Sequence, residues 1–169
     1  MNVLERAKIE DAELCRRILD DGRDFQRQQG FYQWSDDYPN LSTVLEDIDK
    51  QRGYVLKIDG VIVGYMCIDF AGEPTYATIE GKWNYNGAYA VVHRLAFVKE
   101  HLGKGLADVT FDLIQKLCIA NGVPYIRVDT GFYNQRMQHI LTKNGFSKCG
   151  IITLLDKTKR FAYDKLIKL

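Results

Sequence analysis

Hydrophobic residues fall in short blocks whose period changes along the chain. Tyr54 to Ile58 and Val61 to Phe70 are apolar, β-branched runs split by Asp59-Gly60, a pair that favours a two-residue hairpin turn. Neither run alternates cleanly, which predicts strands covered on both faces. Tyr89 to Val98 reads as a central strand. Alternation places Tyr89, Val91, His93, Leu95 and Phe97 on one face, and Ala90, Val92, Arg94, Ala96 and Val98 on the other. The period then changes to that of a helix. Leu106, Val109, Leu113, Ile114 and Leu117 predict a helix from Gly103 to Asn121, stopped by Asn121-Gly122 with Pro124 beyond.

Weaker patterns fill in the rest. Asn2 to Ala7 predicts a short first strand. Glu10 or Asp11 caps a helix with Leu14, Ile18 and Phe25 inward and Arg16, Arg17, Asp20 and Arg23 toward solvent, fading near Gly30. Ser42 or Thr43 starts a second helix, Thr43 with Glu46 fitting a capping box, with Leu45 and Ile48 inward and Gly53 as its stop. Tyr125 to Thr130, Phe146 to Leu155 and Arg160 to Ile167 read as strands. Asn134 to Lys143 reads as a short helix closed by Asn144-Gly145. Two stretches lack a period: Phe31 to Pro39, rich in rings, and Ala71 to Ala88, where Tyr76 to Glu80 fits an extended segment.

This order predicts an α/β chain, a mixed sheet of six to seven strands with helices on both faces, forming one domain over residues 1–169. The strand–helix–strand unit from Tyr89 to Thr130 should pair its strands in parallel. The helix start then lies at the carboxyl end of a central strand, where open α/β sheets place ligands.

Composition narrows the partners. With 23 Lys and Arg against 22 Asp and Glu, the net charge is +1, which argues against a protein that tracks nucleic-acid phosphates. No apolar run approaches the ~20 residues that span a bilayer, so no membrane partner is expected. Cys15, Cys67, Cys118 and Cys149 show no paired spacing, and no signal peptide is recognisable. Both features lead us to expect a cytoplasmic protein. His93, His101 and His139 have no zinc-like spacing with them, and no metal is expected.

The chemistry gathers at the join between the central strand and its helix. Gly103-Lys104-Gly105 sits on a helix start, whose first N–H groups lack intrahelical partners and carry the positive end of the dipole. Glycine lets a ligand approach the backbone and Lys104 adds a cation, so the stretch reads as an anion cradle or as an ordinary turn. In the strand, His93 and Arg94 are polar exceptions and need partners.

Arg94-Leu95-Ala96-Phe97-Val98 followed by Leu102-Gly103-Lys104-Gly105-Leu106-Ala107 resembles the strand and pyrophosphate loop of the GCN5-related N-acetyltransferase (GNAT) superfamily. Asn134 through Asn144-Gly145-Phe146 is similar to that family's later N-x-x-A…G-F segment, and the order of elements agrees over nearly the whole chain. The resemblance implies a mostly antiparallel sheet with a splayed parallel pair of central strands, and acetyl-coenzyme A as donor. It implies cofactor contacts at Phe97, Val98, Lys99, Gly103, Lys104, Gly105, Leu106, Ala107 and Asn134, with the Phe97 N–H polarising the thioester carbonyl. Leu102 replaces the family's Arg or Gln at the loop start. Leu141 stands where many members carry a tyrosine as general acid, and Tyr133 is a nearby tyrosine.

The implied reaction is attack by a primary amine. His93 has the intrinsic pKa of a base for that amine, with Glu73, Glu80 and Asp129 as rivals or anchors for a cationic acceptor. Trp34, Tyr38 and Trp83 from the two ring-rich loops are candidate acceptor contacts. A small amine, an amino acid, an antibiotic or a peptide terminus all remain open as acceptor, and a homodimer stays open. Two other readings are a non-catalytic acyl-coenzyme A sensor, which Leu141 supports, and a nucleotide binder outside this family.

Overall fold

In the computed structural model, which describes residues 1–168, Asp59 and Gly60 both take positive φ (49° and 82°). That conformation suits the two-residue hairpin turn that matches strand twist. The turn joins β2 (Gly53–Ile58) to β3 (Val61–Asp69), with Val55 opposite Tyr65. Val55 and Tyr65 are buried on one face and Leu56 and Met66 on the other, so both faces are covered as the unbroken apolar runs require.

The remaining strands are β1 (Asn2–Arg6), β4 (Glu80–Gly81), β5 (Ala90–Phe97), β6 (Tyr125–Thr130), β7 (Ser147–Thr153) and β8 (Lys159–Leu166). They hydrogen-bond in the order β1-β2-β3-β5-β6-β8-β7-β4. The sheet is mixed and mostly antiparallel. Its parallel pair is β5 with β6, in register at Ala90 with Ile126 and Val91 with Arg127. It has eight strands where six or seven are expected. The additional one is the two-residue β4, too short to leave a pattern, set by Glu80 opposite Ile151 and Gly81 opposite Gly150. Tyr76 to Glu80 is not one extended segment, because Pro74–Ala77 closes into a 3-10 turn.

Contacts divide the chain into two units. The first comprises residues 1–68 and 93–113, the second residues 69–92 and 114 onward. In the first, α1 (Ala12–Gln28) and α2 (Leu41–Asp49) bury Cys15, Ile18, Leu19 and Val44 with Trp34, Val55, Tyr65 and Ala96. In the second, Tyr76, Trp83, Val91, Ile152 and Ala162 form a cluster. Two more helices are α3 (Leu106–Ala120) and α4 (Gln135–Lys143). No helix among the described residues is long and apolar enough to cross a membrane.

Two helix readings need correction. The cap of α2 is Asn40, upstream of the expected Ser42 or Thr43. Asn40 Oδ1 accepts from the Thr43 N–H at 3.1 Å and Thr43 Oγ1 accepts from the Asn40 N–H at 3.1 Å. The buried residues of α2 are Val44 and Asp47; of the two expected inward, Ile48 packs against the core while Leu45 is exposed. In α1, Arg23 is buried and not on a solvent face. Its guanidinium donates to the Ser35 carbonyl at 2.7 Å and the Pro39 carbonyl at 2.5 Å, pinning the 31–39 loop.

Candidate active site

The first unit holds the end of β5 and the glycine-rich join. The Val98 N–H donates to the Val63 carbonyl at 2.9 Å, so it is spent on β3. A 3-10 turn over Lys99–His101 follows. Gly103 and Gly105 then adopt φ of +78° and +74°, the left-handed region that favours glycine. For this reason α3 starts at Leu106 and not at Gly103. A Cβ built on either glycine would have no atom within 4 Å. The backbone is therefore open to a ligand. α3 begins at Leu106 directly after the two glycines, and a helix start presents its first backbone N–H groups and the positive end of its dipole. Leu106 and Ala107 bury their side chains and anchor the turn, and Lys104 is exposed on it.

Upstream, Phe97 is buried with its ring over Gly64, where an added Cβ would come within 2.8 Å of Cδ1. His93 is half-buried. Arg94 takes φ of +55°, so the two-residue alternation expected from Tyr89 to Val98 is interrupted in the middle. Its side chain reaches α2. Nη2 donates to Asp47 Oδ1 at 2.6 Å and Nε to Asp47 Oδ2 at 3.1 Å. Asp47 is fully buried and also accepts from Tyr65 Oη at 2.6 Å and Arg52 Nε at 2.8 Å. Burial pushes the Asp47 carboxyl up. The Arg94 guanidinium and the hydrogen bonds from Arg94, Tyr65 and Arg52 outweigh it, so its pKa lies below the ordinary carboxylate value.

The two ring-loop candidates of this unit separate. Trp34 is a core residue, packed against Gly22 in α1, with its backbone N–H donating to Gln26 Oε1 at 3.1 Å. Tyr38 is 46% exposed and its hydroxyl accepts from Arg94 Nη1 at 2.9 Å.

The second unit holds the other candidates. Asp129 Oδ2 accepts from Tyr76 Oη at 2.5 Å, and Oδ1 lies 4.0 Å from Arg160 Nη1. Glu80 is exposed, 3.4 Å from Lys159 Nζ. Trp83 is buried, donates from Nε1 to the Tyr76 carbonyl at 2.9 Å, and lies under the Arg127 guanidinium at 4.3 Å. Asn134 caps α4, its side chain accepting from the Met137 N–H at 3.0 Å. Leu141 is 1% exposed and Tyr133 is 80% exposed. Burial pushes the Cys15 and Cys118 thiols up to about 12, which keeps them neutral.

Sequence reasoning marked Arg94 as an exception but found neither its partner Asp47 nor Tyr65, which donates to the same carboxylate. The usable signal was the Val44–Asp47 spacing, which puts both on one helix face. It also missed Arg127, stacked on Trp83 and Tyr89.

The acetyltransferase (GNAT) family model matches residues 19–146. The chain therefore belongs to the acetyltransferase (GNAT) family. A GNAT-family acetyltransferase from Streptococcus agalactiae superposes with a TM-score of 0.88 at 29% identity, over 99% of this chain and 96% of that one. One from Listeria monocytogenes gives 0.75 at 19% identity, over 97% and 94%. The aminoglycoside acetyltransferase AAC(6')-Ib in complex with coenzyme A and kanamycin gives 0.72 at 19% identity, over 98% and 95%. The latter two bear on the fold alone. No curated protein matches the chain in sequence.

Proposed function

We propose that this acetyltransferase moves the acetyl group of acetyl-coenzyme A to a primary amine by direct attack. The observation that carries the reading is the pair of left-handed glycines, Gly103 and Gly105, open to solvent immediately before a 15-residue helix. Several backbone donors converge there without side-chain bulk, which is what a pyrophosphate requires. Lys104 adds charge. The bound donor supplies an activated thioester.

The residues' parts then follow. The Phe97 N–H donates toward the thioester oxygen, an interaction typically worth ~3 kcal/mol in such reactions. His93 takes a proton from the acceptor ammonium, since only the free amine has the lone pair that attacks. The C–N bond forms as the C–S bond breaks. The sulfur leaves as thiolate with the C–S electron pair and takes up, through solvent, the proton that the attacking nitrogen loses, so no dedicated protein acid is needed. Leu141 at the usual tyrosine position is compatible with this.

The test is coenzyme A binding by calorimetry with acetyl-coenzyme A turnover over a panel of primary amines. Gly105→Val should weaken coenzyme A by well over about tenfold, at least 1.4 kcal/mol, with the fold retained by circular dichroism. His93→Ala should lower kcat by about 100-fold. Normal affinity in Gly105→Val overturns the site. Tight binding with no turnover for any amine favours the non-catalytic acyl-coenzyme A module, the reading that the buried Leu141 supports.

A further inference from the structure

A non-glycine residue with φ of +55° inside a strand is unusual, and the left-handed region is strained for an L-residue. Such a residue persists only when its surroundings over-determine it. At Arg94 they do. The guanidinium fork takes both oxygens of Asp47, and Tyr65 and Arg52 satisfy the rest of that carboxylate. A fully buried carboxylate cannot trade these partners for water, so the arrangement is stiff. Arg94 also donates to Tyr38, which stands on the 31–39 loop. That loop is itself tied down by Arg23, by an Arg27–Asp36 ion pair at 2.6 Å and by Asn40 donating to the Asp37 carbonyl at 2.8 Å. One side chain thus joins a strained point of β5, a buried carboxylate of α2 and an exposed tyrosine.

We propose that Arg94, clamped by Asp47, is a positioning residue: it locks the β5 backbone in its left-handed turn three residues before Phe97, and fixes Tyr38 as an acceptor contact. The inference rests on the acetyltransferase reading. The turn sets where the Leu95–Phe97 backbone points, and a bulge-like break next to an active site commonly serves to re-aim the strand. Misplacement by about 1 Å at a reacting centre costs on the order of 100-fold in rate. The arginine is therefore kept for geometry. Its guanidinium donors are engaged by Asp47 and Tyr38.

Backbone strain gives a readout that a merely structural ion pair would not. Glycine adopts φ of +55° without penalty, whereas alanine does not. The experiment compares wild type, Arg94→Gly, Arg94→Ala, Arg94→Lys and Tyr38→Phe in steady-state kinetics with acetyl-coenzyme A and the best primary amine. Coenzyme A affinity and urea stability are measured in parallel. Arg94→Ala should lower kcat by about 10- to 100-fold, while coenzyme A affinity, set by the 103–107 loop, changes by less than about threefold. Arg94→Gly should regain about tenfold of the lost kcat, although it restores none of the hydrogen bonds. Tyr38→Phe should raise the acceptor KM more than it lowers kcat. If Arg94→Ala does not fold, Arg94→Lys, which keeps the charge but not the fork, provides the comparison with Arg94→Gly.

Equal kcat losses in Arg94→Gly and Arg94→Ala (or Arg94→Lys), or wild-type kcat in all of them, overturn the inference and leave the acetyltransferase reading intact. Absence of transfer by the wild type overturns both. Those results are distinct because the first requires an active wild-type enzyme.

Discussion

At the scale of single residues, the close approach of Gly64 and Phe97 is the tightest constraint near the proposed thioester donor. A Cβ at position 64 would sit 2.8 Å from Phe97 Cδ1, 3.0 Å from Cε1 and 3.3 Å from the Ala96 carbonyl oxygen. The ring is itself buried and the carbonyl belongs to the neighbouring strand's backbone, so neither gives way cheaply. Gly64→Ala should therefore destabilise the protein by about 1–3 kcal/mol through overpacking, seen as a lower urea midpoint with unchanged m-value. A neutral Gly64→Ala would mean that Phe97 moves freely, and the Phe97 N–H would then be a poor candidate for a preorganised donor. The place of Phe97 at the end of β5 was legible from the apolar run. Gly64 was not, because a glycine within an apolar run says nothing about which ring lies over it.

At the scale of elements, the clearest patterns translated directly and the errors came from caps and from polar residues turned inward. The Asp59-Gly60 hairpin and α3 survive as elements because they depend only on local φ/ψ or on a long period, although α3 buries Ala107, Thr110, Phe111 and Cys118 beside Leu106 and Ile114, and leaves Val109, Leu113 and Leu117 half-buried. The start of α2 was misplaced because Ser42, Thr43 and Asn40 are all competent caps, and only the 31–39 loop decides among them. Asn40 wins by serving both elements, capping Thr43 and donating to the Asp37 carbonyl. Reading Leu45 in place of Val44 as inward rotated the expected face and hid Asp47, and with it the partner Arg94 needed. Asn40→Ala should cost about 1 kcal/mol from the lost cap. The measurement is the urea midpoint of Asn40→Ala beside that of Ser42→Ala, and an equal loss in both would restore Ser42 as the cap. Of the site candidates, the glycine loop was readable because it is contiguous. Trp34 was not, because a tryptophan in a loop has the same sequence signature whether it packs on α1 or lines a pocket.

At the scale of the molecule, each unit holds a buried carboxylate among the described residues, and the two together should set the acid limit of the fold. Asp47 in the first unit is joined in this role by Asp164 in the second. Asp164 is 3% exposed and accepts from Tyr125 Oη at 2.6 Å, the Asn84 N–H at 2.8 Å and Asn84 Nδ2 at 2.9 Å. Burial pushes the Asp164 carboxyl up, and the hydrogen bonds from Tyr125 and Asn84 outweigh it, so its pKa lies below the ordinary value, as does that of Asp47. A carboxyl with a depressed folded-state pKa binds fewer protons folded than unfolded at acid pH. Its stabilisation is complete above the unfolded value of about 3.9 and is lost as pH falls through the folded value. Unfolding free energy should accordingly show no dependence on these two groups above about pH 5 and drop below about pH 4. Asp47→Asn and Asp164→Asn, measured by urea unfolding from pH 6 to pH 3, should each be less stable than wild type at pH 6 and lose less stability on acidification. Their curves should converge on the wild-type curve at low pH, because the protonated wild-type carboxyl and the amide are both neutral there. Parallel curves for either variant would remove that carboxylate from the acid limit and leave the other to carry it.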